Sequence, residues 1–193
     1  MIKHYRLWLV IFLSVLLTAC ATVSPPSNTE NLCTIFHEYP NWHVATVNTQ
    51  RRWGVPVTVQ MAIMNQESSF QSDARPPRQV LLGFIPWSRP TSAYGYCQAI
   101  NHTWRLYQNA TGRYDANRCE FADASDFVGW YGARAKKRAG IHLDDAYGLY
   151  LAYHEGITNY MNKTYLRKPW LLRVAKRVQN RAKLYQKQME NCW

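Results

Sequence analysis

Residues 169–189 carry the longest periodic run in the chain. After Pro169, Leu171, Val174, Val178, Ala182, Tyr185 and Met189 recur every three or four residues, while Arg173, Lys176, Arg177 and Lys183 fall on the other side. That spacing lines one face of an α-helix with apolar groups and leaves the other to water. A long helix with one dry face needs further helices to cover it, and the sequence supplies them. Asn41 caps a predicted helix to Trp53 that Gly54 stops, and Pro56 opens another with Val59, Ile63 and Glu67 at four-residue spacing. Ile100, Trp104 and Tyr107 mark a third, ended around Gly112. Asp123 caps one with Phe127, Trp130, Tyr131 and Ala135, closed by Gly140. Asp144 or Asp145 starts one through Tyr147, Tyr150, Tyr153 and Ile157. The fold class is mainly α.

One stretch breaks the pattern. Gln71–Tyr94 holds Pro76, Pro77, Pro86, Pro90 and Gly83 around LLGFIPW, and reads as a long loop or small hairpin at about 71–94. At the other extreme, Lys3 and Arg6 precede an apolar run from Leu7 to Leu17 and then Thr18-Ala19-Cys20. A basic start, an apolar stretch too short to span a bilayer comfortably and small residues describe an export signal over 1–19. Leu17-Thr18-Ala19-Cys20 resembles the bacterial lipobox, which implies lipidation of Cys20; Ala21, where an aspartate would retain the protein, implies the outer membrane of a Gram-negative cell. Ala21–Asn31 is polar and proline-bearing, so 20–31 reads as a flexible tether of roughly 35 Å at full extension. One domain, 32–193, follows.

Removing the signal lowers the formal charge from +11 to +9. In an exported chain this charge fits an anionic polymer or lipid headgroups, and nucleic acid is not an expected partner. Four cysteines remain after Cys20, and an oxidising compartment favours pairing them. Three connectivities are open. The favoured one joins Cys97 to Cys119 in a local loop and Cys33 to Cys192 across the domain ends.

Glu67 is the residue that fits least. In AIMNQESSFQSDARPP it follows Ala62, Ile63 and Met64 on a helix about to end. Apolar surroundings disfavour the ionised carboxyl and raise its pKa, which a general acid working near neutral pH requires. Most helical glutamates are ordinary surface groups, so two further stretches carry the argument. Residues 92–99 read SAYGYCQA and residues 151–156 read LAYHEG. With QESSF they resemble, in order and spacing, the three motifs of lytic transglycosylases with a goose-type-lysozyme-like domain. Glu67-Ser68 with Phe70 matches Glu-Ser-x-Phe. Gly95-Tyr96-Cys97-Gln98 matches Gly-Leu-Met-Gln at its outer residues. Ala152-Tyr153-His154-Glu155-Gly156 matches Ala-Tyr-Asn-Ala-Gly with both central residues changed. The resemblance covers roughly Val55 to Tyr185.

It implies that Glu67 is catalytic and that Gly95, Gln98, Tyr153, His154 and Glu155 belong to the substrate groove; Ser68 either orients the sugar or caps the helix end, and Phe70 and Tyr96 either stack on sugar or pack the loop. Trp87 and Tyr94 are further candidates for stacking on sugar. The implied activity is cleavage of the MurNAc-GlcNAc β-1,4 bond of peptidoglycan with 1,6-anhydro-MurNAc ends, with no cofactor. A hydrolytic muramidase is the nearest rival, with Asp73 or Glu155 as second carboxylate, and a non-catalytic peptidoglycan-binding scaffold lipoprotein is another. The family often has a tyrosine near the start of its last helix; Val174 stands there, with Tyr165 or Tyr153 as substitutes. No metal is expected. His154-Glu155 begins like a zinc-protease HExxH, but Thr158 stands where the second histidine belongs, and no cysteine pair has CxxC spacing.

Overall fold

The computed structural model describes residues 23–192, and a helix at its centre is buried on nearly every side. In chain order the α-helices among these residues are α1 (Leu32–Glu38), α2 (Pro40–Trp53), α3 (Val57–Ser68), α4 (Asn101–Thr111), α5 (Phe121–Ala139), α6 (Ala146–Glu155), α7 (Ile157–Met161) and α8 (Pro169–Met189). A 3₁₀ turn at Thr164–Arg167 precedes α8. No helix among the described residues is long and apolar enough to cross a membrane. The expected export signal and Cys20, the expected site of lipidation, lie outside the described residues.

Ten of the twelve residues of α3 are buried. A helix apolar all round is stable only inside other structure, and α2, α5, α6 and α8 pack around this one. The long periodic run is α8, whose stripe of Leu171, Ala175, Val178, Ala182 and Tyr185 is buried. Two polar side chains that α3 brings inside are hydrogen-bonded. Gln60 of α3 donates from Nε2 to the carbonyls of Thr46 (3.1 Å) and Val55 (2.8 Å), and its Oε1 accepts from Ser125 Oγ at 2.8 Å. Asn65 donates to the Tyr185 hydroxyl and to the Thr29 carbonyl, both at 2.7 Å.

Several boundaries differ from the expected ones for local reasons. Helix α2 begins at Pro40, whose missing N–H suits a first turn, so Asn41 lies inside it. Helix α5 begins at Phe121, and Asp123 sits in its first turn, accepting from the Asn117 N–H at 2.7 Å and paired with Arg113. Gly156, at φ 84° and ψ 145°, separates Ile157 from α6. Helix α1, only seven residues long, carries too little periodicity to be read from sequence.

The proline-broken stretch contains a hairpin, β1 (Val80–Leu81) antiparallel to β2 (Ile85–Pro86), with Leu81 opposite Ile85. Val80, Leu82, Phe84 and Trp87 are exposed on it. Upstream of α1, the stretch expected to act as a free tether lies against the domain from Ser24 onward. The Tyr39 hydroxyl donates to the Ser24 carbonyl at 2.8 Å, the Ser27 N–H to Glu38 at 2.9 Å, and Arg181 pairs with Glu30 at 2.6 Å.

Cys33 and Cys192 form a disulfide with Cα atoms 5.2 Å apart, joining the start of α1 to the end of α8. The other favoured pair, Cys97–Cys119, is not formed, because Cys97 is a free thiol turned into the core. Burial pushes its pKa up to about 12.

A buried carboxylate ties α2, α4 and α5 together. Asp126 accepts from Trp53 Nε1 at 2.8 Å, from the Tyr107 hydroxyl at 2.7 Å and from Arg113 at 3.2 Å. Asp126→Ala strands three buried or half-buried donors at once. We expect it to lower unfolding free energy by about 3 kcal/mol, measured by denaturant titration.

Candidate active site

Helix α3 ends abruptly. Ser69 and Phe70 both adopt left-handed backbone, at φ 50° and 61°, which costs a non-glycine residue about 1–2 kcal/mol each. The burial of Phe70 offsets this: its ring is fully buried 5.7 Å from that of Trp42. The turn stops the helix one residue beyond Glu67, so the carboxyl emerges from the core at the edge of a cavity of about 380 Å³.

Glu67 is half-buried there. Burial lifts its pKa from 4.5 to about 7, opposed by a hydrogen bond from the Tyr150 hydroxyl. Tyr150, on α6, is itself buried, and its pKa is raised by burial first and then by the neighbouring Glu67 charge. Val174, where a last-helix tyrosine was expected, packs against the core instead. The hydroxyl that hydrogen-bonds Glu67 is that of Tyr150, while the Tyr153 hydroxyl is given to the Cys97 carbonyl. In the sequence Tyr150 is only one member of a helical stripe with Tyr147 and Tyr153.

The SAYGYCQA segment passes beside this carboxyl and is locked by backbone. Gly95 has φ 75°, and a Cβ there would lie 2.1 Å from the Arg118 carbonyl oxygen, so no larger residue fits. The Gly95 N–H donates to Ala74 O at 3.0 Å, and Tyr96 N–H to Arg118 O at 3.2 Å. Gln98, also left-handed at φ 48°, donates from Nε2 to Ala74 O and Gly95 O, both at 2.8 Å. Gln98 itself lines the cavity, and no hydrogen bond to its Oε1 is made by a described residue. The Tyr153 hydroxyl donates to Cys97 O at 2.6 Å, fastening α6 to this segment.

Glu67, Gln98, Tyr153, His154 and Glu155 all line the cavity. Four other expected contact residues do not. Ser68 is buried and donates to the carbonyls of Tyr96 (2.9 Å) and Met64 (3.2 Å), so it splices the first two motifs. Phe70 anchors the helix-ending turn. Gly95 admits the close pass to Arg118. Tyr96 is buried edge-on against Trp42 and Phe121, at 5.5 and 5.4 Å. Of the other aromatic candidates, Trp87 stands exposed on the hairpin, and Tyr94 lies under the Arg75 guanidinium at 4.2 Å.

Glu155 differs from Glu67 in every respect that matters for proton transfer. Burial alone would raise its pKa, but Lys168 at 2.7 Å, Thr164 at 2.7 Å and His154 at 3.4 Å outweigh that and lower it. It is an ionised carboxylate committed to bracing the end of α6 against the 3₁₀ turn. Asp73 is exposed and is not among the residues lining the cavity. Phe127 and Tyr131 of α5 complete one wall; the sequence showed them as a helical stripe, which does not reveal where a stripe is left open. No three histidine, cysteine or acidic side chains among the described residues gather as a metal site would.

A family model described as the transglycosylase SLT domain matches residues 8–192. The chain belongs to this family. SLT domains are a family of peptidoglycan-degrading transglycosylases with a lysozyme-like helical fold, and membership implies peptidoglycan as what the domain binds. No curated protein and no solved structure matches the chain.

The raised carboxyl of the SLT domain has a thermodynamic signature. The folded state holds the Glu67 proton more tightly than the unfolded chain, so stability is full below pH 4.5 and falls as pH rises to about 7. Glu67→Gln removes that titration. We expect the variant to match the parent at pH 4 and to exceed it by about 3 kcal/mol at pH 8 in denaturant unfolding.

Proposed function

We propose that this SLT domain is an active lytic transglycosylase that cleaves the MurNAc-GlcNAc β-1,4 bond and leaves 1,6-anhydro-MurNAc ends. One observation carries the reading: of the two cavity carboxyls, only Glu67 is free to exchange a proton near neutral pH, while Glu155 is ionised and fully engaged. Glycoside hydrolysis of the usual kind uses two working carboxylates. A reaction run by one needs the same group to act as acid and then as base.

Glu67 donates its proton to the glycosidic oxygen as the bond to muramyl C1 breaks and the GlcNAc-side hydroxyl departs. The carboxylate left behind takes the proton of the muramyl C6 hydroxyl, whose oxygen bonds to C1 and closes the anhydro ring. Water is neither consumed nor released, and Glu67 ends protonated. The Tyr150 hydroxyl steadies the carboxylate between the two transfers. Gln98 Oε1 offers an acceptor for an acetamido or hydroxyl group, and His154 offers an imidazole where the family has asparagine. The hydroxyl-anchored ring of Tyr153, with Phe127 and Tyr131, gives an apolar wall for sugar faces.

The same proposal places the protein in the periplasm, exported by residues 1–19 and held at the outer membrane by a lipid on Cys20. The Cys33–Cys192 disulfide accords with an oxidising compartment. Labelling cells with a clickable fatty acid should mark the protein and leave Cys20→Ser unmarked; equal labelling overturns the anchor.

Digestion of purified peptidoglycan tests the chemistry. Anhydro sugar ends identified by mass support the transglycosylase; reducing ends indicate a muramidase, and intact glycan a scaffold. Glu67→Gln should lower turnover by at least about a thousandfold, since it removes both the acid and the base. Because the first step needs the protonated acid, parent activity should fall as pH rises above about 7.

A further inference from the structure

A second chamber, of about 270 Å³, opens off the catalytic cavity between α4, α5 and the start of α7. Thr103, Tyr131, Glu155 and Gly156 line both, so the two adjoin. Its character is different. Trp130, Arg134 and Arg138 project from α5 one turn apart, and Leu106 faces them from α4. Arg134 is half-buried, with its guanidinium 4.7 Å from the centre of the Trp130 ring, which fixes its orientation. Arg138 is exposed at the outer end.

Neither guanidinium has a carboxylate or carbonyl partner among the described residues. The one acid in the chamber wall, Glu155, is already taken by Lys168 and Thr164. Elsewhere in the protein arginines at such sites are paired: Arg113 with Asp123 and Asp126, Arg52 with Asp126, Arg181 with Glu30. Two cations one turn apart on a chamber wall, unpaired and partly oriented, form a receptor for an anion.

Resting on the transglycosylase reading for the identity of the polymer, we propose that this chamber binds the carboxylates of the peptide carried by the muramic acid. The glycan rings are uncharged, and the negative charge of the substrate lies on the substituent of the muramyl lactyl group. A sugar seated at Glu67 directs that substituent across Tyr131 into the chamber. There Leu106 and Trp130 accept its alkyl parts and Arg134 and Arg138 its carboxylates. The protein would then prefer glycan still bearing peptides over glycan already stripped of them.

Binding tests this without reference to the reaction catalysed. The Glu67→Gln chain is titrated calorimetrically with a GlcNAc-MurNAc disaccharide bearing a tetrapeptide, and with the same disaccharide without peptide but with its lactyl carboxylate free. Adding Arg134→Gln and Arg138→Gln together should weaken the peptide-bearing ligand about tenfold and leave the peptide-free one unchanged. The difference should shrink as salt is raised. Arg138→Gln alone, at an exposed position, should show part of the effect with unchanged thermal stability. Equal binding of the peptide-bearing ligand by parent and double variant overturns the proposal, and so does equal weakening of both ligands. Reducing ends in place of anhydro ends would overturn the reaction assigned to Glu67 and leave this binding result standing.

Discussion

A carboxyl group at the end of a helix buried in apolar surroundings must either find a cation or keep its proton. Glu67 has no cation among the described residues and keeps its proton. The other features of the domain can be read as what that arrangement demands. Four helices close over α3, its internal polar groups are satisfied by Thr46, Val55, Ser125 and Tyr185, and only its last turn is left open. Were the surrounding helices to part, water would reach the carboxyl and its pKa would return toward the ordinary range. Tertiary packing and proton affinity are therefore one quantity seen from two sides.

The motif residues divide by job rather than by motif. Ser68, Phe70, Gly95 and Tyr96 never meet the cavity; they fix where the chain carrying Glu67 and Gln98 must run. Bonds such as Ser68 to the Tyr96 carbonyl and Tyr153 to the Cys97 carbonyl join side chain to backbone across long sequence separations. Such bonds constrain position without depending on the partner's side chain, which fits Tyr96 and Cys97 standing where the family pattern has leucine and methionine. Glu155 shows the opposite economy. A new carboxylate beside the site is neutralised by Lys168, so the departure from the family pattern adds a brace.

Much of the fold was legible in the sequence because helices announce themselves locally. The stripe of α8 and the glycine stops at Gly54, Gly112 and Gly140 depend on neighbours only a few residues away, and each is a left-handed cap in the structure. Glu67 was legible only through the company of two distant motifs, since one odd residue on a helix has many innocent explanations. What escaped depends on long-range geometry. Tyr150 and Phe70 are both aromatic residues beside apolar ones, and nothing local tells that one touches the carboxyl while the other lies beneath the turn. The Cys97 pairing failed for the same reason: closeness in sequence says little about which way a thiol faces.

The Cys33–Cys192 bond makes the domain a closed covalent ring, its two ends 5.2 Å apart at the Cα atoms. Motif order along the chain is then a matter of where the ring happens to be opened. The exposed tip at Gly83, whose added Cβ would meet nothing, is an alternative opening. A circular permutant cut there and joined across the present ends by a short peptide would read SAYGYCQA, LAYHEG and then QESSF. The cavity would be built from the same walls in a new order.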